Sequence, residues 1–296
     1  MEKPIAITIG DPAGIGPEVI VKAFRDAPQL TRGCFVAGDV RTMERAAAFV
    51  AGTAPTIPVV LLRTASQADA VGTGCIPVLQ VDAPTELVPV GRISSAAGTM
   101  AARCVEWAAL ATLRGKLAAL VTAPLNKEAL SAAGEPYSRY PGHTEMLQAL
   151  AAAHVGCTVQ EMPVRMMLAN DELRTVLVSI HVSLRAAIEA VTFDNVLQTF
   201  KITHRALADM LGRPPRIAVA GLNPHAGEGG LFGREEIEVI QPAIVRGQAA
   251  GMDLHGPLAP DTVFMRARAS SGHSGEFDVV IAMYHDQGLI PVKYLG

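Results

Sequence analysis

Short apolar, β-branched runs alternate along the chain with longer stretches of helical period, a pattern that predicts helices layered on both faces of a largely parallel sheet. Residues 5–9 form the first expected strand. Gly14-Ile15-Gly16 turns the chain, Pro17 suits a first helical position, and residues 18–27 carry a helix. Residues 34–37, Val59–Leu62 and 117–122 predict further strands, with an alanine-rich helix over Ser95–Leu113 between the last two.

The second half has a different texture. Apolar runs at 164–169 and 173–180 flank Asn170-Asp171-Glu172, and so short a turn implies an antiparallel hairpin, hence a mixed sheet. Thr192 is placed to cap a helix whose Phe193, Val196, Leu197, Phe200, Leu207 and Leu211 share one face. His204 lies beside that stripe and reads as structural. Pro214-Pro215 stops the helix ahead of a strand at 217–220, residues 235–250 predict another helix, and 279–283 a last buried strand. A domain boundary is expected near Asn126 with a return near Ser271. The first domain would then comprise 1–126 and 272–296, and the second 127–271.

With 296 residues, 50% hydrophobic and 18% charged, the chain has material for one large or two medium cores. A net charge of −3 argues against the basic face of a nucleic-acid binder. No stretch is uncharged and long enough to span a bilayer, and residues 1–10 lack a signal-peptide core, so a cytoplasmic location is expected. Cys34, Cys75, Cys104 and Cys157 are scattered, which suits a reduced compartment and structural thiols.

Three histidines stand where an apolar run gives way to a polar turn: Ile180-His181-Val182, Asn223-Pro-His225-Ala-Gly-Glu-Gly-Gly230 and Tyr284-His285-Asp286-Gln-Gly288. Open α/β sheets place ligand chemistry beyond the carboxyl ends of their strands, and imidazole is the commonest protein metal ligand. Spacing alone supports no local ligand motif, and a strand-end histidine is ordinarily a hydrogen-bonded loop residue. The second and third, however, sit among more polar side chains and glycines than a plain connection requires. The glycine-rich turn Gly10-Asp-Pro-Ala-Gly-Ile-Gly-Pro-Glu18 has neither the Lys-Ser/Thr pair of a Walker loop nor the order of a dinucleotide fingerprint, and reads as a tight strand-to-helix turn.

Together the segments are more specific. The Gly10–Glu18 turn, Val121-Thr-Ala-Pro-Leu-Asn-Lys-Glu128, Pro141-Gly-His-Thr-Glu145, the turn around His225, Gly256-Pro-Leu-Ala-Pro-Asp-Thr262 and Ala282-Met-Tyr-His-Asp-Gln-Gly288 occur in an order that resembles the 4-hydroxythreonine-4-phosphate dehydrogenase family. The resemblance spans essentially the whole chain. It implies the isocitrate and isopropylmalate dehydrogenase-like fold, two α/β/α domains with mixed, largely parallel sheets, assembled as a homodimer. It implies metal ligation by His181, His225 and His285, the last reaching the site of the partner subunit. It further implies substrate contacts from His143, Thr144 and Lys293. Alone, His143 reads as a turn residue and Lys293 as a solvated strand-edge lysine. The family also has elements matching nothing up to Gly296, including an asparagine and an arginine that contact substrate and a segment that helps bind the nicotinamide, so no cofactor-binding residue is assigned.

The chemistry implied is oxidation of the secondary alcohol of 4-phosphooxy-threonine by NAD or NADP, giving a β-keto acid that loses carbon dioxide, in pyridoxal phosphate (vitamin B6) biosynthesis. A divalent metal, zinc foremost with magnesium or cobalt as alternatives, would act as Lewis acid. Lys293 is expected to pair with a substrate anion or assist proton transfer, and Asp286 to accept a proton or orient an imidazole. Related dehydrogenases act on D-threonate or D-erythronate 4-phosphate, or on a cis-diol of aromatic-acid catabolism; the His143-Thr144 pair leans toward a phosphorylated substrate. Two readings of other classes are a metal-dependent hydrolase and a non-catalytic, metal-stapled dimer.

Overall fold

The structure is a computed structural model and describes residues 3–84, 86–270, 272 and 274–296. It divides into two compact units, 1–163 and 164–296. The first contains β1 (Ile5–Thr8), α1 (Gly16–Asp26), β2 (Cys34–Gly38), α2 (Val40–Ala51), β3 (Val59–Leu62), β4 (Ile76–Gln80), α3 (Ser95–Leu113), β5 (Ala119–Thr122), α4 (Lys127–Ala132) and α5 (His143–Val155). Its five strands are parallel, in the order β3-β4-β2-β1-β5. Alternation along β2 separates two apolar layers. Cys34 and Val36 face α1 and α2, whereas Phe35 and Ala37 face Ala108 and Ala111 of α3. A fully buried aromatic or branched side chain of this kind contributes roughly 1.5–3 kcal/mol.

The second unit contains β6 (Met167–Ala169), β7 (Arg174–Leu177), α6 (Leu184–Glu189), α7 (Phe193–Leu211), β8 (Arg216–Ala220), α8 (Gln241–Ala249), β9 (Asp253–Leu258), α9 (Val263–Ala267), β10 (Val279–Ala282) and α10 (His285–Leu295). The order is β6-β7-β10-β8-β9, with β6 antiparallel and the rest parallel. The expected hairpin is present. Asn170 makes its turn by accepting from the Glu172 and Leu173 amides through Oδ1, at 2.9 and 2.8 Å. Thr192 caps α7 by accepting from Asn195 N. Here again one strand serves two layers: Ile217 and Val219 of β8 pack with α7 and α8, while Ala218 and Ala220 pack with α9 and Val292 of α10. Each unit is thus an α/β/α sandwich.

Three expectations need correction. Residues 279–296 do not return to the first unit, because β10 pairs with β7 on one side and β8 on the other; an all-apolar run fits the middle of any sheet, so its sequence carries no address. The boundary lies not near Asn126 but after Pro163, because Leu130 of α4 and Met146 of α5 are buried against Ala102 and Val105 of α3. Ser271, the expected return point, lies outside the described residues. Third, Lys293 is in the last turn of α10 rather than at a strand edge. The expected helix 235–250 also begins differently, as a π-turn over Glu236–Ile240 that runs into α8. Among the described residues no helix is long and apolar enough to cross a membrane.

Candidate functional site

The three histidine turns follow β7, β10 and β8, which are neighbouring parallel strands. Strands far apart in sequence therefore deliver their imidazoles to one end of one sheet. The backbone there is strained. Among the described residues, the non-glycine residues with positive φ are His181 (46°), His225 (51°), Ala226 (54°) and Glu228 (43°). Left-handed backbone at such residues costs on the order of 1–2 kcal/mol each and concentrates at functional sites.

Side chains hold this strain in place. Glu236, 2% exposed, accepts from Asn223 N at 2.7 Å and from Asn223 Nδ2 at 2.9 Å. Asn223 Nδ2 also donates to Glu235 at 2.7 Å, and that bond is the first cause holding the Glu235 carboxyl below its ordinary value. Gly227 (φ 78°) has no room for a side chain, since a Cβ there would lie 2.7 Å from Glu236 Oε2.

The rings of His181 and His285 lie 5.6 Å apart, centre to centre, inclined at 43°. Imidazole is the commonest protein ligand of such ions, so each of these strand-end rings could serve as a metal donor. Asp286 Oδ1 lies 2.7 Å from His285 Nδ1, which leaves Nε2 as the ring nitrogen that could meet a metal. His225 is exposed at the neighbouring turn, its ring 6.2 Å from that of Phe232. Beside it runs an open groove of about 690 Å³ lined also by Pro260, Asp261, Phe264 and Tyr284. Among the described residues of one chain, no three His, Cys, Asp or Glu side chains converge on a common point. Within one chain the His181 and His285 rings stand side by side, while the His225 ring lies against Phe232.

The remaining expected site residues lie elsewhere. Lys293 is exposed, eight residues into α10 from His285, or about 12 Å along the helix axis. His143 and Thr144 open α5 in the first unit, behind Gly142 and without a side-chain cap. Burial pushes the His143 imidazole below its ordinary value, and its Nε2 is buried without a partner. A buried ring nitrogen in that condition has a hydrogen bond left to make. The Gly10–Glu18 turn is a close-packed connection, as expected: Asp11 Oδ1 accepts from Ala13 N at 2.8 Å, and a Cβ on Gly16 would lie 2.7 Å from Ile9 O.

Residues 30–296 match the family described as Pyridoxal phosphate biosynthetic protein PdxA. The chain belongs to that family. It is 45% identical, over its whole length and 82% of the relative's, to 4-hydroxythreonine-4-phosphate dehydrogenase of Beijerinckia indica. To D-threonate 4-phosphate dehydrogenase of Pectobacterium atrosepticum it is 40% identical, over its whole length and 85% of that protein's. The crystal structure of 4-hydroxythreonine-4-phosphate dehydrogenase from Klebsiella pneumoniae superposes with a TM-score of 0.86 at 39% identity, covering 100% of this chain and 84% of that one. A terephthalate 1,2-cis-dihydrodiol dehydrogenase from Burkholderia xenovorans is more distant, with a TM-score of 0.66 at 29% identity, covering 99% and 83%. The PdxA fold is the layered α/β architecture described above, and the chain is a dehydrogenase of this family.

Sequence reasoning missed Glu236, whose carboxylate holds the His225 turn through Asn223. Glu236 sits in an acidic run that reads as solvated, and only its burial against the His225 turn shows otherwise.

Proposed function

We propose that this PdxA-family dehydrogenase oxidises the secondary alcohol of a small phosphorylated hydroxy acid, 4-phosphooxy-threonine in pyridoxal phosphate biosynthesis, with NAD or NADP as hydride acceptor. The β-keto acid formed then loses carbon dioxide. The observation that carries the reading is the delivery of three strand-end histidines to one end of the second sheet, two of them at 5.6 Å, in a chain 45% identical to a 4-hydroxythreonine-4-phosphate dehydrogenase. A second reading, D-threonate 4-phosphate as substrate, is favoured by the 40% identity to the Pectobacterium enzyme.

His181, His225 and His285 would hold a divalent cation, zinc foremost, at a site shared between two copies of the chain, with His285 reaching the partner's site as the family resemblance implies. A cation held there would supply Lewis acidity toward the substrate hydroxyl oxygen. Asp286 keeps His285 Nδ1 occupied and so fixes the ring's orientation. His143, with Nε2 unpartnered, offers a hydrogen bond to a substrate oxygen, beside Thr144 at the same helix start. Lys293 supplies a positive charge for the substrate's anionic groups.

The test is reduced-dinucleotide formation with 4-phosphooxy-threonine, D-threonate 4-phosphate and D-erythronate 4-phosphate, after chelation and after return of zinc, cobalt or magnesium. Metal-restored turnover of a phosphorylated hydroxy acid is expected. Turnover indifferent to chelation, or confined to a non-phosphorylated diol, would overturn the proposal.

A further inference from the structure

Met283, the residue after β10, is wholly buried, and its backbone groups point beyond the end of the strand ladder. Buried peptide groups require partners. Both come from side chains: Met283 N donates to Gln287 Oε1 at 2.7 Å, and Met283 O accepts from Ser179 Oγ at 3.0 Å. The other end of the Gln287 amide, Nε2, donates to Gly221 O at 2.8 Å. Gly221 is the first residue after β8, and a Cβ on it would lie 2.8 Å from Ala226 Cα and 3.0 Å from Glu236 Oε1. The backbone polarity at both ends permits only this orientation of the amide, since the flipped form would set NH₂ against N–H and oxygen against oxygen.

The chain of contacts runs in one line across the sheet. Ser179 lies two residues before His181, Met283 two before His285, and Gly221 four before His225. Ser179 ties the end of β7 to the end of β10, and Gln287 ties the end of β10 to the end of β8. Building on the metal-dependent reading above, we infer that Gln287, seconded by Ser179, is a positioning residue that sets the spacing of the three histidine turns and thereby the affinity for the cation. Neither side chain need touch ion or substrate. Their role is to hold the turns at one separation against backbone that is strained at His181 and His225.

A control separates this role from ordinary stabilisation. Thr175 Oγ1 donates to Gly288 O at 3.2 Å, a buried bond that also joins β7 to α10 but touches neither Met283 nor Gly221. The experiment compares Gln287→Met, Ser179→Ala and Thr175→Val in the full chain. One readout is cobalt(II) binding by visible absorption in competition with a chelator. The other, on metal-free protein, is the nuclear Overhauser contact between the His181 and His285 rings. Gln287→Met is expected to weaken cobalt binding about tenfold to hundredfold, the usual cost of losing a residue that orients metal ligands, and to attenuate the ring contact. Ser179→Ala should follow in the same direction, and it keeps the question open to measurement if Gln287→Met does not fold. Thr175→Val should lower thermal stability while leaving both readouts as in the wild type. Equal effects of Gln287→Met and Thr175→Val, or wild-type readouts in Gln287→Met and Ser179→Ala, overturn the inference. Wild-type protein that binds no cobalt would sink the metal reading instead, and the ring contact would still decide whether Gln287 positions the turns.

Discussion

His285 and Asp286 show how adjacent residues divide one task. The 2.7 Å contact at Nδ1 fixes the ring, and the exposed carboxylate has one further oxygen free to meet a proton or water. Replacement of Asp286 by alanine should weaken cobalt affinity about tenfold to hundredfold, read by the same competition titration, and lower kcat. An unchanged affinity would remove the orienting role. Lys293 is different: exposed and about 12 Å along α10 from His285, it is assigned a charge on the substrate rather than a place near the cation. Lys293→Ala should raise KM at least as much as it lowers kcat in steady-state assays, with cobalt affinity unchanged. At the His225 turn, Glu236→Ala leaves the half-buried Asn223 backbone N–H without its acceptor, a loss of about 1 kcal/mol, measurable by urea unfolding.

At the scale of elements, the second sheet is pinned at its opposite end by charge. Asp278, just ahead of β10, accepts from both Arg213 nitrogens at 2.8 Å, from Arg216 N at 2.7 Å and from the Arg216 guanidinium at 3.2 and 3.3 Å. Arg213, followed by Arg216, holds the carboxyl below the ordinary carboxylate range. A carboxyl with a depressed folded value contributes stability that is fully present above its unfolded value, near 4, and is lost as pH falls through the folded value. Asp278→Asn should therefore cost about 1–2 kcal/mol at neutral pH, discounted for the half-exposed arginines. The gap to wild type should stay constant down to about pH 4 and close below it. Denaturant titrations at stepped pH check this, and a gap that persists into strong acid would refute the linkage.

At the scale of the whole molecule, the decisive question is which copy supplies which histidine. If His285 serves the partner's site, a mixed dimer of His181→Ala and His285→Ala subunits retains one intact site, made from the wild-type His181 and His225 of one copy and the wild-type His285 of the other. Metal analysis of purified mixed dimers should then find one tightly held ion per dimer, with partial restoration of turnover, whereas either homodimer holds none. Ligation by His181 and His285 of the same chain, which stand 5.6 Å apart, would leave the mixed dimer as empty as its parents.

The sequence by itself determined what depends on near neighbours. The alternation of apolar runs and helical periods specified the layered α/β class, Asn170 the hairpin turn and Thr192 the helix cap. These signals survive because propensity, capping and turn geometry act within a few residues. Only the tertiary structure decided that β10 lies between β7 and β8, which makes the three histidine turns neighbours, that α4 and α5 belong with α3, that Glu236 is buried against the His225 turn, and that the half-buried Gln287 amide bridges Met283 N and Gly221 O. The reason is physical: a uniformly apolar strand satisfies many sheet positions equally, and whether a glutamate or glutamine meets water or a peptide group depends on chain brought in from far away.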